Sequence, residues 1–196
     1  MPSLAVAILA AGRSTRFGQA SKLDALLDGR PLVEWAAATG RGIDAEHHWL
    51  VEQADAPVQS AVQGYERLAN TQAALGMASS LKIAALAAQA RGVDALLILL
   101  ADMPFVSAAH LRALLAQLVA HPARPVFSVA PDGVAQPPAL FPSTFLPALA
   151  ALEGDKGARS LSRDAVLVEC PADQLLDVDT VTDLAQAALL APQIST

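Results

Sequence analysis

Two arginines, three hydroxyl residues and a lysine fall within ten positions near the start of the chain, after an apolar run. The run ends at Gly12, and Arg13, Ser14, Arg16 and Lys22 follow it. Backbone N–H groups of an open glycine turn and nearby cations together neutralise phosphate oxygens. The spacing therefore predicts a polyphosphate-binding loop and a protein that handles a nucleoside triphosphate. The alternative is an ordinary strand–helix connection with surface arginines.

This loop matches neither of the two common glycine-rich phosphate motifs. Five residues separate Gly12 from Gly18, and Gln19 follows where a P-loop requires lysine. The G-x-G-x-x-G spacing of dinucleotide-binding folds is also absent. The sequence therefore disfavours a dinucleotide-dependent oxidoreductase.

Carboxylates at two places in the chain are candidate metal ligands. Asp102 follows the apolar run before it, at the sheet edge where open parallel sheets bind ligands, and Pro104 makes the turn rigid. Asp177 and Asp179 stand at i and i+2, which places both on one face if residues 175–178 form a strand. Such carboxylates could hold Mg²⁺. The alternative role is helix capping, although Ser107 is better placed than Asp102 to cap the next helix.

A third polar cluster combines Asn70 with Gly76, Met77, Ser79 and Ser80. The glycine and the two serines open a predicted helix, so their backbone N–H groups and hydroxyls could contact a nucleobase or ribose. Capping of the helix by Ser79 or Ser80 is the competing interpretation, and Met77 could simply be a core residue.

Predicted strands and helices alternate along the whole chain, which indicates parallel strands joined by crossover helices. We expect a single domain over residues 1–196, built as a three-layer α/β/α sandwich with a Rossmann-like, mostly parallel sheet. The predicted strands are Leu4–Ala10, Glu46–Glu52, Asp94–Leu100, Pro125–Ala130, Ala139–Phe141, Ala165–Glu169 and Leu175–Val178. The predicted helices begin at Pro31, at Ser79, at Ser107, at about Pro142 and at Thr180.

Composition excludes several classes of protein. A formal net charge of −6 argues against a nucleic-acid surface, and it requires local cations wherever an anion binds. The longest apolar runs are far below the roughly 18 residues of a membrane span, and no basic segment precedes the first. The single cysteine, Cys170, excludes an internal disulfide. We therefore expect a cytoplasmic protein.

Together these motifs resemble the molybdenum cofactor nucleotidyltransferases, which belong to a superfamily with a Rossmann-like fold. The likeness spans nearly the whole chain, and it is greatest to the cytidylyltransferase branch, since Ala11 stands where the guanylyltransferases carry glycine. Gln136-Pro137 stands where that branch tends to show His or Asn before proline. The likeness rests on residues 9–18, Lys22, and residues 29–32, 76–81, 100–104, 154–159 and 177–180.

The resemblance implies an Mg²⁺-dependent transfer of CMP from CTP to the terminal phosphate of molybdopterin, with release of pyrophosphate. It implies that Lys22 stabilises charge at the α-phosphate, that Arg13 and Arg16 hold the β- and γ-phosphates with the amides of Gly12 to Ser14, and that Asp102 binds Mg²⁺ with Asp177 or Asp179. The residues implied to contact the rest of the nucleotide are Leu9, Ala10, Ala11, Gly76, Met77, Ser79, Ser80 and Pro104.

Other functions are compatible with these residues. The donor could be GTP or another triphosphate, and the acceptor could be another phosphorylated compound such as a sugar phosphate. The chain could instead be a molybdenum cofactor-binding chaperone without catalysis, although Lys22 and Asp102 argue against a pure carrier. A molybdoenzyme or its maturation chaperone is a possible protein partner. The segment 154–159 could bind a second anionic substrate or form a solvated turn.

Overall fold

The computed structural model describes residues 2–12, 17, 21–154 and 157–194. The strands are β1 (Leu4–Ala10), β2 (Leu26–Leu27), β3 (Arg30–Pro31), β4 (His47–Gln53), β5 (Glu66–Asn70), β6 (Ala95–Leu100), β7 (Val126–Val129), β8 (Ala135–Pro142) and β9 (Val166–Glu169). The α-helices are α1 (Leu32–Arg41), α2 (Met77–Arg91), α3 (Ala108–Ala120), α4 (Leu146–Ala150) and α5 (Val181–Ile194). Short 3₁₀ turns occupy Lys22–Asp24, Ala73–Leu75, Ser143–Phe145 and Gly157–Leu161.

Seven strands form one sheet in the order β5-β4-β1-β6-β8-β7-β9. The pairs β1–β4, β1–β6, β4–β5 and β7–β9 are parallel, whereas β8 runs antiparallel to both of its neighbours. Because crossover helices connect the parallel strands, the carboxyl ends of β1, β4 and β6 meet at one edge. The predicted mostly parallel, Rossmann-like sheet is confirmed.

Helices cover both faces of this sheet. All seven residues of β1 are buried, as a continuously apolar strand requires. Alternate residues of β1 face opposite sides: Val6 and Ile8 belong to the core beneath α1, α3 and α5, while Ala5 and Ala7 belong to the core beneath α2 and α4. The central strands are therefore held rigidly between two apolar layers, which fixes the positions of the loops at their ends.

Several predicted elements differ from the structure. No strand forms at Leu175–Val178; the segment is a loop in which Leu175 and Val178 are nevertheless buried. Helix α2 begins two residues before Ser79, after Gly76, so neither serine is its N-cap. Ser107 does cap α3, since its hydroxyl accepts a hydrogen bond from the backbone N–H of His110. Strand β5 was not predicted.

Within the described residues, no helix is long and apolar enough to cross a membrane.

Candidate active site

A cavity of about 430 Å³ opens at the carboxyl ends of β1 and β6. This is the edge at which parallel α/β sheets bind ligands, because the connecting loops diverge there and expose backbone groups. The cavity is lined by Leu9, Ala10, Ala11, Gly12, Lys22, Leu23, Ala73, Ala74, Gly76, Met77, Ser80, Leu100, Asp102, Asp177 and Asp179. We call it the first cavity.

Three carboxylates meet on one wall of the first cavity. One oxygen each from Asp102, Asp177 and Asp179 lies within 4.8 Å of the other two, and we call these residues the aspartate cluster. A backbone hydrogen bond of 3.0 Å from Val178 N–H to the Asp102 carbonyl draws the two chain segments together. The loop at 175–178 thus achieves the juxtaposition that a strand was predicted to provide.

Lys22 extends its ammonium group into the aspartate cluster. Its Nζ lies 2.7 Å from Asp102 Oδ2 and 2.9 Å from Asp179 Oδ1, although these partners are 80 and 157 positions away in sequence. Burial alone would lower the pKa of Lys22, but the two carboxylates outweigh it and raise that pKa, so the lysine stays protonated. Only 7% of Lys22 is exposed.

The aspartate cluster crowds three carboxyl groups together. Burial of the carboxyl group, followed by the charges of Asp102 and Asp179, raises the pKa of Asp177 to about 7. Asp177 is nonetheless among the exposed residues, so its carboxylate has access to solvent and to ligands. Crowded carboxylates of this kind attract a cation, and oxygen ligands of this type suit Mg²⁺ or Mn²⁺.

Asp24 anchors the 3₁₀ turn that begins at Lys22. Its carboxylate accepts hydrogen bonds from Gln59 N–H at 3.1 Å, from Ser60 N–H at 2.7 Å and from the Ser60 hydroxyl at 2.6 Å. Burial would raise the pKa of Asp24, but these donors stabilise its ionised form and lower it. The turn that carries Lys22 is therefore tied to the loop after β4.

A neutral polar network lies at the start of α2, where Gly76 and Ser80 also line the first cavity. Asn70 at the end of β5 donates to the hydroxyls of Ser79 and Ser80 at 2.8 and 2.9 Å. Its side-chain oxygen accepts from the Gln72 N–H, and the Ser79 hydroxyl donates to the Gly76 carbonyl. The network holds the first turn of α2 against the sheet.

Most of the predicted site residues with described positions line the first cavity. Ser79 and Pro104 do not line it: Ser79 is engaged in the Asn70 network, and Pro104 is buried in the turn after β6. Arg13, Ser14 and Arg16 lie outside the described residues. Gln53, which the sequence did not single out, donates to the Ala11 and Gly12 carbonyls at 3.3 and 3.2 Å. Its position at the end of β4 was the only available sequence signal.

A second cavity, of about 660 Å³, adjoins the first, and both share Met77. Its lining is largely apolar, with Arg159 as the charged residue among those described. The Met77 side chain packs on Gly157, where φ is +56° and a Cβ would lie 3.0 Å from Met77 Sδ. The remaining lining residues are Phe127, Ala135, Gln136, Pro137, Ala158 and Ser160.

Known proteins share this sequence pattern and this architecture. The family described as the MobA-like NTP transferase domain matches residues 6–170. The purine catabolism protein PucB of Bacillus subtilis (strain 168) is 32% identical, with 91% of this chain and 93% of PucB covered. The manganese complex of Rv0371c from Mycobacterium tuberculosis H37Rv superposes with a TM-score of 0.72 at 24% identity, covering 95% and 98% of the two chains. Molybdopterin-guanine dinucleotide biosynthesis protein A from Archaeoglobus fulgidus superposes with a TM-score of 0.71 at 18% identity, covering 96% and 99%.

Proposed function

The chain belongs to the MobA-like NTP transferase family, and we propose that it transfers CMP from CTP to the phosphate of a molybdopterin-type acceptor, releasing pyrophosphate. The observation that carries this proposal is the contact of buried Lys22 with the aspartate cluster inside a cavity at the carboxyl edge of the sheet. That arrangement places a cation and metal-binding oxygens together, as phosphoryl chemistry requires.

The reaction needs charge neutralisation and positioning more than proton transfer. A phosphate oxygen of the acceptor is already anionic and attacks the α-phosphate of CTP in line, so no general base is required. Lys22 stabilises the negative charge that develops at the α-phosphate, and Arg13 and Arg16 hold the β- and γ-phosphates. Mg²⁺ bound to the aspartate cluster would supply further positive charge to the phosphates. The manganese in the Rv0371c complex supports the use of a divalent ion.

The choice of CTP rests on the wall around β1 and α2. Ala10 and Ala11 offer small side chains beside the backbone, and Ser80 adds a hydroxyl to the same cavity. Ala11 is also one of the residues that carry the resemblance to the cytidylyltransferase branch, together with the segment 154–159. We place the base and ribose between these residues and the turn at Gly76.

The second cavity is our proposed binding site for the acceptor. It is joined to the first cavity through Met77, so an acceptor bound there can extend a phosphate towards the aspartate cluster. Its apolar lining suits a planar ring system, and Arg159 suits an anionic substituent. The similar fold of the molybdopterin-guanine dinucleotide biosynthesis protein A from Archaeoglobus fulgidus supports a molybdopterin-type acceptor. A cytoplasmic single-domain enzyme, without a nucleic-acid partner, is the form in which we expect this reaction.

Nucleotide binding tests the donor half of this proposal directly. Melting temperatures are measured with CTP, GTP, ATP and UTP, each with and without Mg²⁺. We expect a rise that is largest for CTP and that requires Mg²⁺. An equal response to all four nucleotides would contradict the CTP assignment, and no response to any of them would contradict the transferase.

Product analysis then tests the acceptor half. The protein is incubated with the preferred nucleotide, Mg²⁺ and either molybdopterin, a sugar phosphate or a polyol phosphate, and pyrophosphate release is followed. If pyrophosphate is released only with a sugar phosphate, the proposed acceptor is wrong but the proposed nucleotidyltransferase activity stands. If the protein binds the molybdenum cofactor but no nucleotide, the result would instead favour a cofactor-binding chaperone without catalysis.

A further inference from the structure

Two consecutive prolines of β8 form a bulge beside the second cavity, which Pro137 lines. The register between β7 and β8 shifts between Phe127 and Ser128, so Pro137 and Pro138 lie opposite no residue of β7. Neither proline has a backbone N–H, so neither can donate a hydrogen bond to a neighbouring strand. A bulge redirects the strand that contains it, and a further contact is therefore needed to fix where these prolines lie.

A side-chain hydrogen bond from the neighbouring strand holds this bulge. The Ser128 hydroxyl lies 2.7 Å from the Pro138 carbonyl oxygen, and Nε2 of His110 in α3 lies 2.8 Å from the same hydroxyl. A carbonyl can only accept, so Ser128 donates to Pro138 and accepts from the Nε2–H of His110. Burial lowers the pKa of His110, so it donates as a neutral imidazole. Both hydrogen bonds therefore run in one direction, from His110 through Ser128 to Pro138.

This network approaches the bulge from the face of the sheet opposite the second cavity. Ser128 has no exposed surface, only 7% of His110 is exposed, and neither residue lines that cavity. Leu111 and Leu114 of α3 belong to the core beneath α1, α3 and α5, whereas Phe127, which lines the cavity, belongs to the core beneath α2 and α4. Burying two polar side chains costs stability unless their hydrogen bonds recover it, and here those bonds end at the bulge.

We propose that Ser128 and His110 are positioning residues for the acceptor substrate, because their hydrogen bonds fix the wall of the second cavity at Gln136 and Pro137. This inference rests on the proposed acceptor site and adds to it two residues that touch neither substrate. None of the described residues that line the first cavity belongs to β7 or β8. Loss of the network should therefore weaken binding of the acceptor and leave binding of the nucleotide unchanged.

Ser128→Ala removes the donor to the Pro138 carbonyl and tests the network directly. Pyrophosphate release is measured while the concentration of molybdopterin or of CTP is varied, with Mg²⁺ present. We expect the KM of molybdopterin to rise about tenfold and the KM of CTP to stay unchanged, since a displaced cavity wall misplaces only the acceptor. The matched control, Leu118→Ala, shortens a buried side chain of the same helix as His110. It should lower the melting temperature and leave both KM values unchanged.

Two substitutions of His110 test its part in the network. In His110→Leu no donor reaches Ser128, and we expect the KM of molybdopterin to rise about fivefold, the usual effect of one neutral hydrogen bond. In His110→Gln the side-chain amide can donate in place of Nε2–H, so this KM should stay within about twofold of wild type. Ser128→Ala combined with His110→Leu should match Ser128→Ala alone, because the network is already broken. Increases that multiply in the double variant would refute the coupling of the two residues.

The melting temperature of each variant is measured first, and if Ser128→Ala does not fold, His110→Leu and His110→Gln carry the comparison. An unchanged KM of molybdopterin in a folded Ser128→Ala or His110→Leu would overturn the proposal. An equal rise in the KM values of molybdopterin and CTP would also overturn it, because that result indicates a general loss of structure. If the wild-type protein releases no pyrophosphate from CTP with molybdopterin, the proposed function fails and this inference fails with it; an active wild type with unaffected variants rejects this inference alone.

Discussion

Two charged clusters flank the loops at the carboxyl edge of the sheet, and they differ in how their carboxylates are surrounded. In the first, Lys22 contacts Asp102 and Asp179, two of the three members of the aspartate cluster. In the second, Arg67 pairs with Glu52 and also donates to the carbonyls of Val58 and Ser60 at 2.8 Å each. Glu52 also accepts from the Val58 N–H. The second cluster pairs one cation with one carboxylate and closes a loop within the protein, whereas the first brings three carboxyl groups together at the wall of a cavity.

The difference separates residues that stabilise a loop from residues that are available to bind a ligand. The same contrast is seen between two aspartates, Asp24 and Asp177. Hydrogen-bond donors from the neighbouring loop lower the pKa of Asp24 in spite of burial, whereas burial and adjacent carboxylates raise the pKa of Asp177 to about 7. A carboxylate whose ionised form is disfavoured by the fold gains most from an incoming cation. The following predictions test this distinction.

Lys22→Met should have the largest effect. We expect turnover to fall by about 10²–10³-fold, because a buried cation at the reacting phosphate is lost. We also expect Mn²⁺ to bind the free protein more tightly, since the ammonium no longer competes for the oxygens of Asp102 and Asp179. Calorimetric titration with Mn²⁺ and pyrophosphate release measure the two effects. Lys82→Met, which removes an exposed lysine of α2, serves as the control. Weaker Mn²⁺ binding in Lys22→Met would contradict the competition.

Asp102→Asn should separate binding from folding. The substitution removes one of the three clustered oxygens as a charged ligand, so we expect Mn²⁺ affinity to fall by about tenfold or more, and turnover with it. Thermal stability should change little, because the loss of one partner of Lys22 is offset by less repulsion within the aspartate cluster. A large drop in melting temperature with unchanged Mn²⁺ affinity would show that Asp102 stabilises the fold and does not bind the metal ion.

Much of the sheet could be predicted from sequence, and the reason is the burial of its central strands. β1 and β6 are continuous apolar runs, so their positions and the ligand edge beyond them follow from hydrophobicity alone. β5 was missed because Glu66 and Arg67 face solvent at the edge of the sheet and leave no apolar run. Leu175–Val178 has the composition of a strand, but Val178 bonds to the turn at Asp102 instead of to a neighbouring strand.

The site was predictable in its residue types but not in its pairings. Lys22, Asp102 and Asp179 stood out as charged residues next to apolar segments, yet their mutual contacts depend on strand order, which no local pattern contains. The sequence did not indicate Gln53, or the hydrogen bonds that Asn70 makes to three other residues, for a related reason. Amides carry no charge and no periodicity, and their importance arises from backbone groups brought to them by the fold.

Arg67→Met tests the second cluster, formed by Arg67 and Glu52. We expect this substitution to lower the stability of the protein and to leave its turnover unchanged. Removing Arg67 leaves Glu52, whose side chain is 7% exposed, without its cation. We expect a loss of about 2 kcal/mol in the free energy of unfolding, below the usual value for a fully buried pair because Arg67 is itself 37% exposed. Chemical denaturation measures this loss. The control, Arg91→Met, breaks the half-exposed pair with Glu66 and should cost at most about 0.5 kcal/mol. Lower turnover per folded molecule in Arg67→Met would place this cluster in the active site after all.

The two aspartates should give the smallest effects, with opposite dependence on pH. The pKa of Asp24 is lower in the folded protein than in the unfolded chain, so its ionised form adds stability above pH 4 that is lost as the pH falls through the folded value. The pKa of Asp177 is raised to about 7, so the unfolded chain releases its proton first, and stability declines as the pH rises from about 4 to 7. Relative to wild type without divalent ions, Asp24→Asn should be less stable at pH 7 and equally stable in acid. Asp177→Asn should be equally stable at pH 4 and more stable above pH 7. Chemical denaturation at several pH values measures the free energy of unfolding of each variant relative to wild type. If this difference changed with pH in the same direction for both variants, the distinction between the two aspartates would be wrong.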